Sequence, residues 1–146
     1  MAVTIELNDA AATERLGEDL ARALKKGDVL ALSGEIGAGK STLARALIRA
    51  MADNAALEVP SPTFTLAQEY ALRIPITHFD FYRLTSPDEA RELGMDEAAQ
   101  AGICLVEWPE RAADLLPSTC IQLILTEKGA GRTAVISGSD EAMGRV

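Results

Sequence analysis

Histidine and tryptophan each occur once in this 146-residue chain, cysteine twice, and aromatic residues make up only 4% of it. With His78 as the one histidine, and Cys104 and Cys120 in no metal spacing, the sequence offers no zinc constellation. Cys104 lies in the apolar run Ile103-Cys104-Leu105-Val106, where a thiol reads as a small buried hydrophobe. Cys120 opens a second apolar run, and two free thiols fit a reducing cytoplasm. No apolar run approaches the roughly 18 residues that a membrane helix needs. The first nine residues hold no basic stretch followed by an apolar one, so no signal peptide is expected.

Positive charge is scarce as well: 14 lysines and arginines face 22 acids, for a net charge of −8. Phosphate neutralisation supplies much of the affinity of an autonomous nucleic-acid binder, so tight unaided RNA binding is not expected. What the chain does have is a globular balance, 48% hydrophobic and 25% charged. A chain of this length buries roughly two-thirds of its unfolded surface. Residues 1–146 are therefore expected to form one domain, with little left for a separate substrate domain.

Hydrophobic periodicity orders the elements. Residues 3–7 read as a short strand, and leucines 16, 20 and 24 mark one face of a helix over about 9–26. Val29-Leu30-Ala31-Leu32 is a continuous apolar run, the pattern of a strand buried on both faces. Residues 40–51 return to helical period. Residues 57–59 form a possible strand, and 64–70 and 74–79 could pair as a hairpin. Ser86-Pro87-Asp88-Glu89 is a helix start, with a capping hydroxyl, a proline in the first turn and then acids, for a helix ending near 93. Residues 103–106 form a second buried strand, and 121–125 and 133–136 a hairpin. The expected class is α/β, a sandwich about a mixed sheet.

Between the first buried strand and its helix stands Gly34-Glu35-Ile36-Gly37-Ala38-Gly39-Lys40-Ser41, the pattern G-x-x-x-x-G-K-[ST]. Its chemistry is phosphate binding. Glycines 34, 37 and 39 let backbone N–H groups turn inward around phosphate oxygens, and the helix directs its positive end at the same anion. Lys40 is placed for the β- and γ-phosphates, the Ser41 hydroxyl for magnesium and Thr42 for the α-phosphate.

Magnesium also calls for acids. Asp80 closes Ile76-Thr77-His78-Phe79 and Glu107 closes Ile103-Cys104-Leu105-Val106. Either could be a surface cap, but with the loop they make a metal-binding and water-orienting pair. Ser61-Pro62-Thr63-Phe64 reads equally as a γ-phosphate sensor or a rigid turn. His78 reads as a structural imidazole, Trp108 as packing or an interaction surface, and Arg132 as a solvated side chain.

Four stretches occur in register: residues 34–42, Ser61-Pro62-Thr63-Phe64-Thr65-Leu66, His78-Phe79-Asp80-Phe81-Tyr82-Arg83-Leu84 and Leu105-Val106-Glu107-Trp108-Pro109. In these the chain resembles the bacterial TsaE (YjeE) family, the ATPase of tRNA threonylcarbamoyladenosine (t6A) synthesis. Ile36 and Ser41 depart conservatively from the family's more usual leucine and threonine, and the tail beyond Ser137 matches little. The resemblance implies a P-loop NTPase sandwich with a mixed, mostly parallel central sheet. It implies ATP and magnesium as ligands, with Ser41 and Glu107 on the metal, Asp80 supporting it, and Lys40, Asp80 and Glu107 serving slow hydrolysis. It places the adenine near residues 9–13, with Thr13 and Arg132 as contacts. It also implies a cytoplasmic protein that works with TsaD and TsaB, resetting threonylcarbamoyl transfer without catalysing it. That protein would meet tRNA only through the complex, and neither DNA nor a membrane. The principal rival is a small-molecule P-loop kinase, which needs an acceptor pocket and an arginine-bearing lid. A regulatory GTPase is disfavoured, since N-K-x-D and a D-x-x-G after the loop are missing.

Overall fold

The apolar run at residues 29–32 forms the strand that its pattern predicts, and everything else is arranged around it. A computed structural model describes residues 2–35 and 38–146. The chain runs β1 (Ala2–Leu7), α1 (Ala10–Ala23), β2 (Val29–Gly34), α2 (Lys40–Ala52), β3 (Ala67–Tyr70) and β4 (Ile76–Asp80). There follow α3 (Pro87–Glu92), α4 (Met95–Ala101), β5 (Ile103–Glu107), a 3-10 helix (Pro109–Leu115), β6 (Ile121–Lys128), β7 (Gly131–Ser137) and α5 (Asp140–Met143).

The strands make one sheet in the order β1-β7-β6-β2-β5-β4-β3. β6, β2, β5 and β4 are parallel at its centre, while β7 and β3 run against them at either side. β1 is antiparallel to β7 and so runs with the central strands. The sheet is thus mixed and mostly parallel, as expected.

Strand alternation sends side chains to two cores. Leu30, Leu32, Ile76, Ile103 and Leu105 face α1 and α2, meeting Leu16, Leu20, Leu43 and Leu47. Val29, Phe79, Cys104 and Val106 face the other way, toward Ala90 of α3 and Met95 of α4. The result is a sheet covered by helices on both sides, the usual solution for buried parallel strands.

Local differences from the sequence reading have local causes. α1 begins after Asp9, whose carboxylate accepts the Ala12 N–H at 2.8 Å, and it ends at Ala23, short of the expected 26. Residues 57–59 form no strand; the Leu57 carbonyl is instead taken by Arg49 Nε at 2.8 Å. β3 starts at Ala67 rather than 64, because Leu66 turns into the left-handed region (φ 66°) and its N–H bonds the Pro62 carbonyl at 2.8 Å. Ser86 caps α3 by position, yet its hydroxyl makes no cap hydrogen bond.

Candidate functional site

β2 hands the chain to α2 through the glycine-rich turn. At Gly34 φ is +144°, and a Cβ would stand 2.5 Å from the Leu125 carbonyl oxygen, so no other residue fits. Gly39, at φ 102°, occupies the N-cap of α2 without any side-chain cap. The first N–H groups of the helix are thereby left for an outside acceptor, the condition for an anion site. Ala38 is buried and its N–H bonds the carbonyl of the exposed Glu35 at 3.0 Å. Ile36 and Gly37 lie outside the described residues.

Lys40 is buried and folded back into this turn. Its Nζ donates to the Gly34 carbonyl at 2.6 Å and stands 3.8 Å from the centre of the Trp108 ring. Desolvation draws the ammonium below the ordinary lysine range, and Glu107, Glu110 and Asp80 partly oppose that shift.

Asp80 and Glu107 pair in register at the carboxyl ends of β4 and β5, so both project from the face that carries α2. Both are buried. Asp80 accepts the Tyr82 N–H on Oδ1 at 3.0 Å and the Thr63 hydroxyl on Oδ2 at 3.2 Å. Thr63 is bonded in turn to the Ser61 hydroxyl at 2.8 Å. Glu107 Oε2 lies 2.6 Å from His78 Nε2.

A cavity of about 390 Å³ is lined by Lys40, Ser41, Thr42, Asp80 and Glu107, together with Thr63 and Trp108. A second, of about 310 Å³, shares Gly39 and Thr42 with it and is lined by Asp9, Thr13 and Arg132. Arg132 is held there, donating to the Gly131 carbonyl at 2.9 Å and lying 3.7 Å from Glu127, rather than standing in solvent. A wider hollow of about 530 Å³ between α1 and α2 contains, of the expected residues, only Thr42. The two smaller cavities meet at the start of α2, one with the acids and one without them.

The donors suit magnesium, a hard ion that takes one or two carboxylates, a hydroxyl and phosphate oxygens while keeping several waters. Among the described residues no group of three or more His, Cys, Asp or Glu forms a protein-only metal cage. The Ser41 hydroxyl, Asp80 and Glu107 would hold the ion alongside a phosphate.

Sequence reasoning missed the links behind these groups. It left Thr63 between two readings, and the structure ties Thr63 to Asp80. It read His78 as structural, and the structure places it against Glu107. The alternation His78-Phe79-Asp80 did put His78 on the face of the acid, but nothing in the sequence named its partner. Trp108 adopts φ 56°, and its ring packs on Tyr82 with centroids 4.9 Å apart.

A parallel-stranded sandwich whose first buried strand turns through glycines into a helix defines a P-loop nucleotide-binding protein. Similarity narrows the class. A family model described as Threonylcarbamoyl adenosine biosynthesis protein TsaE matches residues 7–138, and the chain belongs to that family. A relative from Rickettsia felis, named tRNA threonylcarbamoyladenosine biosynthesis protein TsaE, is 35% identical over 139 residues, covering 93% of this chain and 81% of the relative. The Bacillus subtilis protein of the same name is 36% identical over 119 residues, covering 80% and 73%. The crystal structure of YdiB from Bacillus subtilis superposes with a TM-score of 0.81 at 26% identity, covering 99% of this chain and 91% of that one. Among the described residues no helix is long and apolar enough to cross a membrane.

Proposed function

We propose that this protein acts, as a single domain over residues 1–146, as a magnesium-dependent ATPase of the t6A machinery, slow on its own. One observation carries the reading: the P-loop lysine and hydroxyls and two buried carboxylates line one cavity at the amino end of α2. In that cavity the α2 backbone and Lys40 bind the β- and γ-phosphates. Ser41, Asp80 and Glu107 hold magnesium, and Glu107 orients the attacking water. The adenine lies in the neighbouring cavity against Asp9, Thr13 and Arg132. Magnesium supplies charge neutralisation at the phosphates when bound.

The slow rate follows from the charge available. A fast P-loop hydrolase also needs a cation on the transferring phosphate, and a missing arginine finger costs roughly three to five orders of magnitude. Among the described residues no arginine lines the cavity. Arg83 lies over the Phe64 ring and Arg111 over that of Tyr82. The missing charge comes from partners, TsaD and TsaB, and hydrolysis resets their complex between rounds of threonylcarbamoyl transfer in the cytoplasm. At a net charge of −8 the protein meets tRNA through that complex rather than by its own grip.

Titration calorimetry with ATP, with and without magnesium, tests the reading. Saturable one-to-one binding that tightens with magnesium is expected. Failure to bind ATP under either condition would reject it.

A further inference from the structure

We infer that His78 is a positioning residue, whose imidazole fixes the Glu107 carboxylate in the orientation from which it serves magnesium and water. The inference rests on the role assigned to Glu107 above.

The geometry is specific. His78 is 2% exposed and Glu107 4%, and their side chains meet at 2.6 Å. A carboxylate so buried is stable only with a hydrogen-bond donor. Glu107 stands opposite Asp80, yet its carboxylate reaches back along the same face to His78, which stands opposite Leu105. One oxygen, Oε2, is thereby committed. Among the described residues no protein group bonds the other, and Glu107 lines the phosphate cavity. A flexible glutamate is reduced to a single orientation with one oxygen on offer.

The other side of the ring limits what His78 can do. Its Nδ1 is buried, and among the described residues nothing hydrogen-bonds to it. A proton there would be an unsatisfied buried donor, so the ring is the Nε2–H tautomer, donating to Glu107 with a lone pair on Nδ1. Among the described residues the ring's one hydrogen bond is the one to Glu107, the contact that a positioning role needs. Outer hydrogen bonds of this kind commonly matter by roughly 10–100-fold in metal affinity or activity.

Because His78 is the only histidine in the chain, a spectrum of ¹⁵N-histidine-labelled protein reports this ring alone. The expected signature is a protonated Nε2, an unprotonated Nδ1 and an exchange-protected Nε2–H that loses its protection in Glu107→Ala. Steady-state hydrolysis, measured with the TsaD–TsaB pair present, gives the functional arm. His78→Leu is expected to lower turnover roughly 10–100-fold while leaving magnesium-free ATP affinity unchanged. His78→Gln, whose amide can donate from a similar place, is expected to recover most of the turnover. In a Glu107→Ala background, His78→Leu is expected to cost nothing further, since both changes remove one unit.

Normal turnover in Glu107→Ala would refute the role of Glu107, and this inference with it. Slow Glu107→Ala with normal His78→Leu would overturn the inference alone. If His78→Leu does not fold, the wild-type spectrum decides: a protonated Nδ1, or an Nε2–H indifferent to Glu107→Ala, overturns it.

Discussion

At the carboxyl ends of β2, β4 and β5, Lys40, His78, Asp80 and Glu107 are buried, and all but His78 line one cavity with Gly39 of the glycine-rich turn. At the amino end of β2, Lys25, Asp28, Glu141 and Arg145 are half-buried or exposed, and they pair with one another. Arg145 bridges both oxygens of Asp28, at 2.9 and 3.2 Å, donates to the Ala23 carbonyl at 2.6 Å and reaches Glu141 beside Lys25. One end therefore keeps charges that cost stability, next to Leu66 and Trp108 in the left-handed region, while the other uses charge to tie α5 to the end of α1. Left-handed non-glycine residues cost roughly 1 kcal/mol each or more and gather at functional sites. The contrast predicts that substitutions at the first end change binding and turnover more than stability, and that the reverse holds at the second.

The largest effect is expected at Lys40. Lys40→Ala removes the one side-chain cation within the cradle, and hydrogen bonds from a charged donor are worth about 1.5–3 kcal/mol each. ATP affinity should fall on the order of 100-fold with the fold intact, as calorimetry and circular dichroism would show. Unchanged affinity would dissolve the distinction between the two ends. Next come the acids. Glu107→Ala should depress hydrolysis far more than nucleotide binding, and Asp80→Ala should damage both, since Asp80 also anchors Thr63 and the turn at Tyr82. Equal effects of the two on binding would deny the division of labour.

A smaller effect separates titrating groups by position. Burial pushes the Cys104 thiol from its ordinary 9.0 up to about 12. Its folded value lies above the unfolded one, so its contribution is full below pH 9 and is lost as pH climbs toward about 12. Lys40, shifted downward, acts in the opposite sense over the alkaline range. Guanidinium melts at pH 8 and pH 10.5 should show a larger loss for wild type than for Cys104→Ala; equal losses would mean that the thiol ionises freely. The smallest effect belongs to Arg145→Ala, expected to cost about 1–2 kcal/mol of stability with ATP affinity unchanged. A change in affinity there would show the two ends to be coupled.

Much of this architecture was legible in the sequence. The run at 29–32, the loop after it and the helix at 40–51 announce themselves because apolar continuity, glycine spacing and helical period are local properties. Asp80 and Glu107 were readable as strand-ending acids, although their alignment across β4 and β5 was not. What escaped depends on contacts distant in the chain or on elements too short for a period. Of α4 only Met95 is buried, so no apolar stripe marks it; the 3-10 helix is seven residues broken at Ala112, and α5 is four residues, a single turn. The bond from His78 to Glu107 spans 29 residues, and only the sheet order brings the two together.

Steady-state ATP hydrolysis, alone and with TsaD and TsaB added, tests the central claim most directly. The cavity predicts turnover below about one per second for the isolated protein, the low end of ordinary enzymes, and a marked rise when the pair is present. Rapid turnover by the isolated protein, or no response to the pair, would contradict it.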